Sequence, residues 1–179
     1  MSQQTLPFLV LVHGPPGSGK TTIAAALARD LQLPLFAKDE IKEELFESLG
    51  ADDPDEWRRL GVAVYPLLFL IARQELEVGR SLVLEANFVA GVSEEHFSQL
   101  PPHTLVQVYC SAPEDVLMER YLARERHPGH HDQVRADEVR AAIRVGRHSP
   151  LTLTGELIEL DTTQTVEISD LVAAIAAAP

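Results

Sequence analysis

Gly14-Pro15-Pro16-Gly17-Ser18-Gly19-Lys20-Thr21 places two glycines five residues apart and follows the second with a lysine and a hydroxyl residue. That spacing suits a polyphosphate. Glycines let the backbone curl so that several N–H groups face one anion. A helix starting at the lysine adds its positive end. Lys20 can then reach terminal phosphates and Thr21 can ligate Mg²⁺. Pro15, Pro16, Ser18 and Thr22 complete the stretch expected to contact a nucleotide.

Other residues could act on what the loop holds. Asp39 closes the second strand-like segment, and ligands of open α/β sheets bind outside such ends. A carboxylate there can take the proton of an attacking hydroxyl. It can equally cap the helix that follows. Glu85 and Asn87 end a third apolar run, Leu82-Val83-Leu84. Glu85 can hold Mg²⁺ or its waters, and Asn87 can hydrogen-bond substrate. Strand neighbours point to opposite faces, so the run alone does not say which of the two meets the metal. Arg120 and Arg124 share a helix face, with Arg126 just beyond. Such a set can neutralise charge on a transferring phosphoryl group. Glu119 and Glu125 offer the alternative of surface ion pairs. His127, His130 and His131 crowd one loop, without cysteines or a standard zinc spacing.

These residues need a scaffold, and the pattern supplies one. Strand-like segments at Phe8–Val12, Pro34–Ala37, Ser81–Asn87, Thr104–Tyr109 and Leu157–Leu160 alternate with helical ones. The helical segments run at Lys20–Leu31, Glu40–Ser48, Asp55–Val78 with Pro66 inside, Ala112–Arg124, Asp137–Val145 and Ile168–Ala177. Alternation of this kind predicts an α/β fold with a mainly parallel sheet. We expect one domain over 1–179, with the segment at about 113–148 acting as a lid.

Net charge is −12 over 179 residues. A surface so acidic should repel extended nucleic acid. Yet 7 of the 12 arginines lie between Arg120 and Arg147, which suggests a local anion site. A single cysteine, Cys110, fits a reducing cytoplasm and a buried packing role. No basic stretch precedes the first apolar run and no run spans a membrane, so a cytoplasmic location is expected. Oligomeric state is not legible.

The phosphate loop, Asp39-Glu40-Ile41-Lys42, Leu84-Glu85-Ala86-Asn87-Phe88 and Arg120-x-x-x-Arg124-x-Arg126 together resemble the small P-loop kinases of the adenylate-kinase-like superfamily. Arg126-His127-Pro128-Gly129-His130 is similar to the lid segment of bacterial proteins assigned to that group. The resemblance implies a five-stranded parallel sheet in the order 2-3-1-4-5, flanked by helices, with an arginine-rich helical lid. It implies ATP and Mg²⁺ as cofactors, Asp39 as general base, and Lys20, Arg124, Arg126 and Arg120 around the transferred phosphate. Polynucleotide kinases of this superfamily carry a phosphate-holding arginine where this chain has Lys42. Lysine supplies charge without the bidentate fork. The expectation is therefore a kinase for a hydroxyl group on a small molecule. The alternatives are a polynucleotide 5′-hydroxyl kinase and a nucleotide-dependent switch without an acceptor.

Overall fold

A computed structural model describes residues 6–124 and 134–178. The sheet forms because its strands alternate two apolar sets. In β1 (Phe8–His13), Leu9 and Leu11 point to one face and Val10 and Val12 to the other. β3 (Leu82–Ala86) repeats this with Leu82 and Leu84 against Val83. Strands buried on both faces read as continuous apolar runs, as parallel strands covered by helices must.

Each face has its own cover. The leucine face packs on α3 (Pro54–Glu77) through Val64, Leu68, Ala72 and Leu76. The valine face packs on α1 (Lys20–Leu31) through Ile23, Ala24 and Leu27. It also packs on α7 (Ile168–Ala176) through Leu171 and Ile175. β2 (Leu35–Ala37), β4 (Thr104–Ser111) and β5 (Glu156–Asp161) complete a parallel sheet in the order β2-β3-β1-β4-β5. This is the order the resemblance implied. Cys110 lies buried on the valine face, where burial pushes its thiol up to about 12.

Helix starts follow ordinary chemistry. Asp53 caps α3 by accepting from the backbone N–H groups of Asp55 and Glu56, at 2.8 and 2.9 Å. α3 runs on through Pro66 as one helix. α2 (Lys38–Leu49) begins two residues earlier than the sequence pattern suggests, with Ala37 at its cap position. Asp39 is therefore inside the first turn rather than at the cap position, and its charge there complements the helix dipole. α4 (Glu94–Ser98) is a short helix without a strong periodic signal. α5 (Glu114–Ala123) and α6 (Ala136–Arg144) occupy the expected lid region and pack through Met118, Tyr121 and Val139. Arg126, His127, His130 and His131 lie outside the described residues.

Register brings the functional ends level. Ala37 of β2 and Val12 of β1 both pair with Glu85 of β3. The phosphate loop after β1, Asp39 after β2 and Asn87 after β3 therefore leave the sheet at one edge. β1 is also where the chain turns from one side of the sheet to the other, the usual place for a ligand crevice.

Candidate active site

The loop between β1 and α1 is set by packing before any ligand arrives. A Cβ on Gly14 would run into the Cys110 carbonyl oxygen, and one on Gly17 into that of Leu117. Gly19 adopts φ 77° with open space beyond its Cα. It starts α1 with no side-chain cap among the described residues, leaving first-turn N–H groups for an anion. The Ser18 hydroxyl is buried without a hydrogen-bond partner among the described residues. Thr21 and Thr22 are exposed on the first turn, while Pro15 and Pro16 lie within the loop, between Gly14 and Gly17.

Lys20 is buried at the mouth of the cleft. Its Nζ donates to the Pro15 carbonyl at 3.4 Å and stands 3.9 Å from Glu85 Oε1. Burial lowers its pKa, Glu85 and Asp39 oppose the shift, and Arg124 and Lys38 add to it. Two carboxylates and two further cations thus act on one ammonium from three other elements.

The cleft itself encloses about 500 Å³. Asp39 lies on one wall, with Oδ1 3.4 Å from Lys38 Nζ. Asn87 lines the cleft, and the Tyr65 hydroxyl donates to its backbone carbonyl at 3.0 Å and to Oδ1 at 3.2 Å. Burial raises the Tyr65 pKa, and Asp39 raises it further. The Lys38 ammonium sits 5.5 Å from the centre of the Tyr65 ring. Arg124, at the end of α5, also lines the cleft, its guanidinium 4.9 Å from the Tyr121 ring centre.

A family model described as an AAA domain matches residues 9–147. The chain belongs to this AAA-domain family. A candidate kinase from Chloroflexus aurantiacus J-10-fl is 35% identical, with a TM-score of 0.86 over 97% of this chain and 98% of its own. A sugar kinase from Janibacter sp. HTCC2649 shares the fold at 19% identity, with a TM-score of 0.61 over 95% of this chain and 91% of its own. A cytidylate kinase from Pyrobaculum calidifontis is 29% identical over 65% of this chain, and the matched stretch spans 60% of that relative. These relatives agree with the small P-loop kinase resemblance.

Within this AAA-domain chain, the structure brings Lys20, Asp39, Lys42, Asn87 and Arg124 to one cleft with Pro16 of the loop. Lys42 is buried, with its ammonium 3.8 Å from the Trp57 ring centre. Arg120 is not in this group. Its guanidinium donates to the Thr162 hydroxyl and carbonyl, each at 3.0 Å, which holds it beyond the end of β5. Glu85 does not line the cleft; it is buried beside Lys20, while Asn87 faces the opening. Among the described residues, no three His, Cys, Asp or Glu side chains gather as a metal site. An uncapped helix start, a buried ammonium and the exposed Thr21 hydroxyl nevertheless suit a metal-bearing polyphosphate, whose own oxygens bring ligands.

Sequence reasoning missed Tyr65, Arg58 and Lys38. Tyr65 and Arg58 belong to α3, whose sequence reads as a core helix. Arg147 and His148 line the cleft as well. Arg140 and Arg144 bind Glu114 on α5 instead, at 3.4 and 2.8 Å. No described helix is long and apolar enough to cross a membrane.

Proposed function

We propose that this chain is an ATP-dependent phosphotransferase acting on a hydroxyl group of a small molecule. The observation that carries the reading is the convergence of Lys20 and Asp39 on one cleft, where the Asp39 charge acts on the Lys20 ammonium. Gly14 to Thr22 hold the polyphosphate, with Thr21 toward Mg²⁺. Bound Mg²⁺ supplies charge neutralisation at the phosphate oxygens. Lys20 and Arg124 add positive charge where the transferred group carries its negative charge, and Arg126 is assigned the same task. Asp39 accepts the proton of the acceptor hydroxyl, and Asn87 orients the acceptor under the hold of Tyr65. Glu85 keeps Lys20 charged in its buried position.

Support comes from the family and from the kinase relatives. The cytidylate kinase relatives favour a second reading, in which the acceptor oxygen belongs to a phosphate and needs no base. Product analysis after incubation with Mg²⁺, γ-labelled ATP and an acceptor panel tests both. A phosphate ester formed by the wild type and absent with Asp39→Asn supports the first reading. A phosphoanhydride formed by both proteins overturns it. Strong, salt-sensitive labelling of an oligonucleotide 5′ end would instead favour the polynucleotide alternative. Tight ATP binding without transfer to any acceptor would favour a switch.

A further inference from the structure

Two helices meet the cleft with matching faces. On α3 the lining residues are Arg58, Gly61, Val62 and Tyr65. On α6 and its C-terminal cap position, Glu138, Ala141, Ala142 and Val145 line the other side. Both sets follow the i, i+3, i+4, i+7 spacing of one helix face. Each face begins with a charged residue and then turns apolar. Gly61, Val62, Ala141, Ala142 and Val145 carry no side-chain donor or acceptor. Val62 is 65% exposed and Val145 79%, although both line the cleft. Aliphatic groups so open to water inside a cleft gain from any ligand that covers them.

The two faces stand within reach of each other at both ends. Glu138 is held below its ordinary range first by its hydrogen bond with Arg135, and Arg58 on α3 adds to this. Burial and then Asp39 raise the Tyr65 pKa, and Arg147, just past α6, opposes the rise. The apolar strip therefore runs from the Arg58 and Glu138 end toward Tyr65. Tyr65 joins the strip to the proposed chemistry. The Lys38 ammonium lies 5.5 Å from its ring centre and 3.4 Å from Asp39 Oδ1. The Tyr65 hydroxyl also holds Asn87.

We propose that Val62, Ala142 and Val145 form an apolar slot for the body of the acceptor, which is a molecule carrying its reacting hydroxyl on an apolar frame and not a polyol. The assignment rests on the reading of this cleft as the acceptor side of a phosphotransferase. An apolar frame in the slot covers both valines, and a hydroxyl on a short arm then lies at the Tyr65 end, beside Asp39. In transfer, the hydroxyl oxygen bonds the γ-phosphorus and the bond from that phosphorus to the bridging oxygen of ATP breaks. ADP leaves and Asp39 takes the hydroxyl proton. A polyol would bring hydroxyls to walls that cannot bond them, and each would give up water without a replacement.

2-Phenylethanol and the ring polyol myo-inositol are the probes. With Mg²⁺ and a non-hydrolysable ATP analogue present, ligand-observed NMR titration should find 2-phenylethanol bound and myo-inositol unbound. With Mg²⁺ and γ-labelled ATP, 2-phenylethanol should be the better acceptor by about tenfold or more in kcat/KM. Both valines are exposed, so asparagine at either position keeps the fold. Val62→Asn and Val145→Asn should each weaken 2-phenylethanol binding by about fourfold or more, and Val62→Leu should retain it. Absence of 2-phenylethanol binding, unchanged binding in both asparagine variants, or transfer to myo-inositol as fast as to 2-phenylethanol would overturn the proposal. Failure of the kinase reading would look different: no transfer to either probe, with 2-phenylethanol still bound and its binding still weakened in the asparagine variants.

Discussion

The ammonium of Lys20 and the carboxylate of Glu85 stand 3.9 Å apart, with both side chains buried. The pair holds a cation ready where burial alone would favour its neutral form. Glu85→Gln leaves that cation without its main opposing charge. Removing one partner of a buried pair costs about 3 kcal/mol. Urea unfolding at pH 7 should show a loss of that order, and a loss under about 1 kcal/mol would show that the pair is not holding the loop.

Asp39→Asn separates chemistry from binding. The variant should bind Mg²⁺-nucleotide within about twofold of wild type, since Asp39 lies across the cleft from the loop, and lose transfer by at least about a hundredfold. Single-turnover transfer and nucleotide titration read the two quantities separately. Near-normal transfer would remove Asp39 from the chemistry.

Tyr65→Phe tests how Asn87 is held. The hydroxyl gives Asn87 two hydrogen bonds, at 3.0 and 3.2 Å. Losing them should raise the acceptor KM by about tenfold, in line with about 1.4 kcal/mol, with a smaller change in kcat. A fall in kcat alone would place Tyr65 in the transfer step instead.

Arg120→Gln distinguishes a tether from a phosphate clamp. Its two bonds to Thr162 join α5 to the end of β5, where Thr162 also donates to the Ser111 carbonyl at 3.0 Å. The variant should lose about 1–2 kcal/mol of stability and keep saturated transfer within about threefold. A hundredfold fall in kcat at unchanged stability would return Arg120 to the phosphate.

His13 makes the fold sensitive to acid. Burial lowers its pKa from 6.5 to about 4. The unfolded chain therefore takes up the proton first, so stability is complete above 6.5 and falls as pH drops toward 4. The loss attributable to this group is about 3 kcal/mol across that window. His148, also lowered by burial, adds in the same direction. Denaturant unfolding between pH 7 and 4.5 should show a flatter profile for His13→Gln than for wild type.

Much of this was legible in the sequence because local pattern and global fold agree. The apolar runs at Phe8–Val12 and Leu82-Val83-Leu84 made strands visible, and Gly14 to Thr21 marked the crevice beside β1. Asp39 and Asn87 were found because strand ends are where ligands gather. Arg120 and Arg124 look alike at helical spacing, yet Arg120 is drawn away by Thr162, which is 42 residues from it in the chain, while Arg124 lies by the Tyr121 ring. Tyr65 and Arg58 carried no signal, since a tyrosine and an arginine on a long helix are ordinary. Only the packing of α3 over the leucine face turns them into the cleft.

Gly14 and Gly17 touch the carbonyls of Cys110 and Leu117, whereas Gly19 opens onto space. A mutational scan would record all three as intolerant, for unlike reasons. Alanine at Gly14 or Gly17 should deplete the folded protein itself. At Gly19 it should leave soluble protein that has lost its ligand. Abundance and binding, scored side by side, would divide one short motif into a part that builds the molecule and a part that uses it.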